Sequence, residues 1–190
     1  LGDIDLRTAV AESCNTALIG ARDTATQSAL AQAAESLGLG VDHDLGFPAY
    51  LGSVPAEAEG TAHAAAVIGQ GEVLASPLAM AAVAASVAAG QTVTPVLVPE
   101  AAPEPVAPPT PLTDEEAALL RNMMRAAVTD GSARFLADLP GEPVIAKTGT
   151  AEYGTGDDLG THAWMIAARG DLPVAVFVEN AESGSATAGP

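Results

Sequence analysis

The period of the hydrophobic pattern changes once, near Gly141, and this change constrains the fold more than any other feature of the chain. Upstream, apolar residues recur at helical spacing. Downstream, Pro143–Tyr153, His162–Arg169 and Pro173–Asn180 read as three strands separated by Gly/Asp turns. The last alternates, with Val174, Val176 and Val178 on one side. Short Gly-Asp turns favour an antiparallel meander. A helical lobe followed by antiparallel strands is an α+β arrangement. With 190 residues and no internal repeat, the chain is expected to form part of one domain. Residues 1–140 form its mainly helical lobe and residues 141–190 its antiparallel strands.

The helices announce themselves by their ends. Leu6, Val10, Ala17 and Leu18 suit one face of an opening helix, with Asp3 or Asp5 as N-cap. Thr24 and Gln27 have capping-box spacing for a second helix, which Gly38 and Gly40 end after Leu37. Residues 41–60 read as irregular loop. Ser76-Pro77 predicts a third helix running through Met80 and Val83 to Gly90. Thr113 and Glu116 form another capping box, opening a helix through Leu120, Met124 and Val128 to Gly131. Between these two lies a crossing, residues 95–112, that holds seven of the 14 prolines. Its composition fits either a linker or a surface crossing within one domain. Three strands with nothing to cover their outer face and edges make a poor independent fold. The chain therefore reads as an incomplete domain.

Charge narrows the function. Seven basic against 24 acidic residues give a formal charge of −17, which argues against nucleic acid and anionic lipid as partners. The apolar stretch Leu78–Ala89 is short, alanine-rich and interrupted by Ser86, so it reads as a buried helix and not a membrane span. Leu1 to Asp5 have no signal-peptide character. Cys14 is the sole cysteine and reads as a buried small residue, since no base or cation flanks it. His43, His63 and His162 lie far apart and read as packing or surface histidines; no metal site or cofactor is expected.

Two short motifs carry chemistry. Lys147-Thr148-Gly149-Thr150 lies inside the first strand candidate and contains the only lysine. A glycine inside a strand often marks close approach by another backbone, such as a ligand's. An ammonium beside two hydroxyls suits a carboxylate. Such a tetrapeptide arises by chance in about one chain in a thousand of this size. Ser13-Cys14-Asn15 is less specific: Ser-x-Asn occurs by accident in roughly a third to a half of such chains, and alone it also reads as a polar break between helical segments.

Together and in this order, Ser-x-Asn in a helical region and Lys-Thr-Gly on a strand resemble the penicillin-binding protein and serine β-lactamase family. Ser13-Cys14-Asn15-Thr16-Ala17, Ile68-Gly69-Gln70-Gly71, Ser76-Pro77-Leu78-Ala79-Met80-Ala81, Lys147-Thr148-Gly149-Thr150-Ala151-Glu152 and His162-Ala163-Trp164 all resemble stretches of high-molecular-weight (class B-like) transpeptidases. The resemblance covers essentially the whole chain. The alanine-rich, lysine-poor composition suggests a high-GC actinobacterial source. The implied fold is that of a penicillin-binding transpeptidase, and the implied partners are peptidoglycan stem peptides ending in D-Ala-D-Ala and β-lactams, with a cell-wall synthesis complex as a further candidate.

The resemblance also assigns roles. Lys147 supplies positive charge at the floor of the site, and the Thr148 and Thr150 hydroxyls flank Gly149 and hold a substrate carboxylate. The Thr150 N–H forms half of an oxyanion hole. Ser13 relays a proton to or from the leaving amine, and Asn15 bonds the substrate's side-chain amide. The family's nucleophile belongs to Ser-x-x-Lys, whose lysine activates the serine. Since the one lysine here is Lys147, preceded three residues earlier by Val144, these residues contain no such motif. Its expected place is upstream of Ser13, in the rest of the domain, so the chain by itself is expected to be inactive. Truncation or partial coverage is favoured over a pseudoenzyme because Ser13, Asn15 and Lys147 are intact. The leading function is an acyl-serine D,D-transpeptidase, outside the cytoplasmic membrane and anchored by a segment not in this chain. The alternatives are a D,D-carboxypeptidase or β-lactamase-like hydrolase, and a non-catalytic β-lactam-sensing or scaffold module.

Overall fold

The computed structural model describes residues 2–101, 107–154 and 156–190. Among the described residues six α-helices precede three strands: α1 (Leu6–Ala11), α2 (Asn15–Gly20), α3 (Gln27–Ser36), α4 (Gly60–Ala66), α5 (Pro77–Ala89), α6 (Asp114–Thr129), β1 (Ile145–Tyr153), β2 (Gly160–Arg169) and β3 (Leu172–Val178). The strands form one antiparallel sheet in the order β1-β2-β3, so the meander is as expected and β1 is an edge. Of the proline-rich crossing, Pro99–Ala101 forms a 3₁₀ turn. Residues 102–106 lie outside the described residues.

The caps decide most helix ends. The Ser76 hydroxyl accepts from the Ala79 N–H with Pro77 at the first helical position, and Gly90 closes α5 at φ +77°. Thr113 and Glu116 form a reciprocal capping box on α6. Two expectations are corrected. The opening segment is two helices, broken at Ser13; Asp5 is its cap, Leu6 is exposed, and the buried residues of α1 are Ala9 and Ala11. The cap of α3 is Thr26, which accepts from Ala29 N–H at 3.2 Å. Thr24 instead donates to the Ala21 carbonyl and closes the preceding turn. The segment read as loop holds one isolated antiparallel bridge, Ser53 to Leu74, and α4 follows it unforeseen.

The sheet has two packed faces. On one, Ile145, Ile166 and Ala175 meet Val83, Ala84 and Val87 of α5 and Met124 of α6. Apolar on all sides, α5 is buried as its sequence requires. Its Ser86, fully buried, accepts from Val93 N–H at 2.9 Å and lies 2.8 Å from the Ala82 carbonyl, so the one polar break in the run is satisfied. On the other face Ala146, Ala163 and Met165 pack with Ala127, Val128, Ala133 and Ala188.

Candidate active site

The site begins with a turn that the sequence disguises as helix. After Ala11 the chain reaches Ser13 at φ +53°, a left-handed conformation that costs a non-glycine residue about 1–2 kcal/mol. The turn is held by Ser13 N–H to the Val10 carbonyl at 3.2 Å and Cys14 N–H to the Ala9 carbonyl at 2.8 Å. It places Ser13 between two short helices, with Asn15 exposed at the first position of α2. Cys14 is half-buried, not buried as expected. Its thiol lies 3.4 Å from the Thr16 hydroxyl, a contact that lowers its pKa.

What fixes this turn is the end of α6. Gly131 lies so close to α1 that a Cβ there would stand 2.1 Å from the Ala11 carbonyl oxygen. The next N–H, that of Ser132, donates to that same oxygen at 3.0 Å. The Ser132 hydroxyl in turn pairs with the Thr148 hydroxyl at 2.7 Å. Gly131 and Ser132 therefore link the Ser13 turn to β1. In the sequence Gly131 carries only the signal of a helix stop, and Ser132 carries none.

Along β1 the side chains alternate, which sends Lys147 to the face of Ile145 and Ile166, and Thr148 and Thr150 to the other. The Lys147 ammonium donates to the Ser13 hydroxyl and, at 2.7 Å, to the Thr148 carbonyl. Burial without a counter-ion disfavours its charge and lowers its pKa to about 8. The ion pairs among the described residues, Arg7–Asp130 and Arg22–Asp23, do not involve it. Thr148 is buried against Ser132, while Thr150 is exposed and its hydroxyl accepts from Gly184 N–H at 3.1 Å. A Cβ on Gly184 would sit 2.3 Å from the Gly149 carbonyl oxygen, so here the backbone that approaches Gly149 is the chain's own.

The structure thus brings Ser13 and Lys147 into contact and sets Thr148, Gly149 and Thr150 along an edge strand. Asn15 has no hydrogen bond to them. Gln70, which has no chemical role legible in the Ile68-Gly69-Gln70-Gly71 stretch, bonds the β1 edge through its carboxamide: Nε2 donates to the Thr150 carbonyl at 2.8 Å, and Oε1 accepts from Glu152 N–H at 3.2 Å. The histidines lie in separate surroundings. His63 contacts Gln27 and the Arg22 carbonyl, His162 stacks on Tyr153, and His43 is buried. Among the described residues no three His, Cys, Asp or Glu side chains could share a metal.

A helical lobe over an antiparallel sheet, with the serine of Ser-x-Asn meeting the lysine of Lys-Thr-Gly, is the arrangement of a penicillin-binding transpeptidase fold that the sequence resemblance implies. The model of the penicillin-binding protein transpeptidase domain family matches residues 1–190, and the chain belongs to that family. It is 32% identical to penicillin-binding protein A from M. tuberculosis, solved as a ceftriaxone acyl-enzyme complex, with a TM-score of 0.82 over 98% of this chain and 46% of that one. A component of a peptidoglycan synthase complex is 29% identical, with a TM-score of 0.78 over 97% of this chain and 35% of that one. The D,D-transpeptidase domain of a peptidoglycan glycosyltransferase from Eggerthella lenta shares the fold at 24% identity, with a TM-score of 0.76 over 97% of this chain and 51% of that one. The chain spans about half or less of the length of these structures. No curated protein matches it.

Proposed function

We propose that this chain forms the C-terminal part of a peptidoglycan D,D-transpeptidase domain whose nucleophilic serine lies outside these residues. The observation that carries the reading is the Lys147–Ser13 contact beside an edge strand that carries Thr150. The serine oxygen bonds to the penultimate D-alanine carbonyl carbon and gives up its proton to the lysine of its own Ser-x-x-Lys motif. The carbonyl oxygen takes the negative charge, which the Thr150 N–H stabilises. The C–N bond then breaks, and D-alanine leaves with a proton relayed through Ser13. A second stem peptide's amine attacks the ester, loses a proton to the same relay, and releases the serine. An amine of pKa about 8 exchanges protons readily near neutral pH, so the lowered pKa of Lys147 suits it to recharge Ser13. Exposed Thr150 holds the terminal carboxylate, buried Thr148 supports the strand beneath it through Ser132, and exposed Asn15 bonds the peptide's side-chain amide.

The remaining partners follow from this reading: β-lactams, the rest of the domain carrying Ser-x-x-Lys, and a cell-wall synthesis complex of the kind the 29%-identical relative forms. No helix of the described residues is long and apolar enough to cross a membrane. On our reading the site lies on the extracytoplasmic face, tethered by a segment outside these residues. The similarity to a mycobacterial protein supports an actinobacterial source.

Fluorescent penicillin tests the function. The complete protein should be labelled, residues 1–190 alone should not, and Lys147→Ala in the complete protein should slow labelling about a hundredfold. A complete protein that stays unlabelled, or a Lys147→Ala variant labelled at the normal rate, would overturn the reading. Incubation with a D-Ala-D-Ala peptide and an amine acceptor should yield the transfer product; hydrolysis alone would indicate a carboxypeptidase.

A further inference from the structure

We infer that Gln70 is a positioning residue for acyl transfer, its carboxamide holding the free edge of β1 so that the Thr150 N–H faces the reacting carbonyl. This rests on the transpeptidase reading above.

The placement of Gln70 is built into the backbone. After α4 the Gly69 N–H bonds the Ala66 carbonyl at 2.9 Å and the Gln70 N–H bonds the Ala65 carbonyl at 3.0 Å. That is a Schellman closure, which requires a left-handed residue at its turn; Gly69 supplies it at φ +74°. Gly71, at φ +70°, turns the chain again directly after Gln70. The glutamine is therefore set on a double turn, half-buried and aimed at β1.

Its two bonds have the pattern of a strand partner. A peptide group pairing with an edge offers one donor and one acceptor. Gln70 offers both, to the Thr150 carbonyl and the Glu152 N–H. Within a strand the N–H and C=O of one residue point to the same side. The Thr150 N–H therefore lies on the edge that Gln70 grips. On the other side of it the Thr148 carbonyl is held by Lys147. The edge is thus pinned on both sides of that N–H, with the lysine that meets Ser13 as one pin and Gln70 as the other. An edge strand is paired on one side only, so without such pins the N–H and C=O groups of its outer side have no partner to hold them.

Both bonds need a neutral group of this length that offers one donor and one acceptor. Asparagine is one methylene short. An ionised glutamate accepts from Glu152 but meets the Thr150 carbonyl with a like partial charge, and regains the donor only when protonated.

The test is the acylation rate of the complete protein by a fluorescent penicillin, measured with the fraction of protein that acylates. Gln70→Ala and Gln70→Glu should slow the maximal acylation rate about ten- to a hundredfold, with penicillin affinity and acylatable fraction near wild type. For Gln70→Glu the ratio to wild type should rise as pH falls from 7 to 5. A glutamine that serves folding alone would change the acylatable fraction or Tm, leave the rate of the folded molecules untouched, and show no pH-dependent rescue; that result overturns the inference. Wild-type rates in both variants overturn it equally. An unlabelled wild-type protein would instead sink the transpeptidase reading, so the two failures are distinguishable.

Discussion

The Lys147 ammonium donates to the Ser13 hydroxyl, joining residues 134 positions apart through one hydrogen bond. Neither residue is carried there by its own local structure. Ser13 is set by a left-handed turn locked against α6, and Lys147 by an edge strand whose neighbouring side chain is bonded to the residue after that lock. A bulky group inserted at the α1–α6 contact should therefore be felt at the lysine.

Lys147 should leave a signature in stability as well as activity. Its folded pKa, about 8, lies below the ordinary value near 10.5, so between those values the unfolded chain binds more protons. Stability from this group must rise as pH increases from 8 to 10.5. Lys147→Met should be more stable than wild type below pH 8, with the gap closing across that window. Denaturant unfolding at a series of pH values reads it, and a constant gap would contradict the burial described.

Gly131→Ala should destabilise the protein by about 1–3 kcal/mol or more, because the added methyl meets a backbone oxygen that cannot rotate away. The same displacement should slow acylation in the complete protein. A variant with wild-type Tm and acylation would show that the α1–α6 contact is looser than this.

Ser132→Ala leaves the buried Thr148 hydroxyl without its partner, at a cost of about 1–3 kcal/mol. Adding Thr148→Val removes the stranded group and should recover part of the loss. A double-mutant cycle measures the coupling, and additive effects would deny the hydrogen bond any role in stability.

His43 is buried with no hydrogen-bond partner for either ring nitrogen. Burial lowers its pKa, with only partial opposition from Asp42. As pH falls below about 6.5, the unfolded chain takes up the proton first, so stability should decline from pH 7 toward 5. His43→Leu should flatten that slope in unfolding experiments. An unchanged slope would assign it to other groups.

The sequence determined those elements whose signals act within a turn. Ser76-Pro77 and Gly90 bracket α5, Thr113 and Glu116 start α6, and the alternating valines define β3, because caps and alternation work over four residues or fewer. Local rules failed where two candidates competed or contrast was absent. Thr24 and Thr26 both precede α3, and only the second faces its N–H groups. The α4 segment, largely alanine and with no side-chain bond at its cap, offers no polar face to read. The motifs Ser13-Cys14-Asn15 and Lys147-Thr148-Gly149-Thr150 were legible as chemistry, but their meeting was not. Packing decided that: Gly131 lets α6 touch α1, Ser132 ties that contact to Thr148, and Gln70 reaches the β1 edge across 80 positions. Such contacts depend on where side chains of distant segments come to rest after burial, a property of the whole core and of no single stretch of chain.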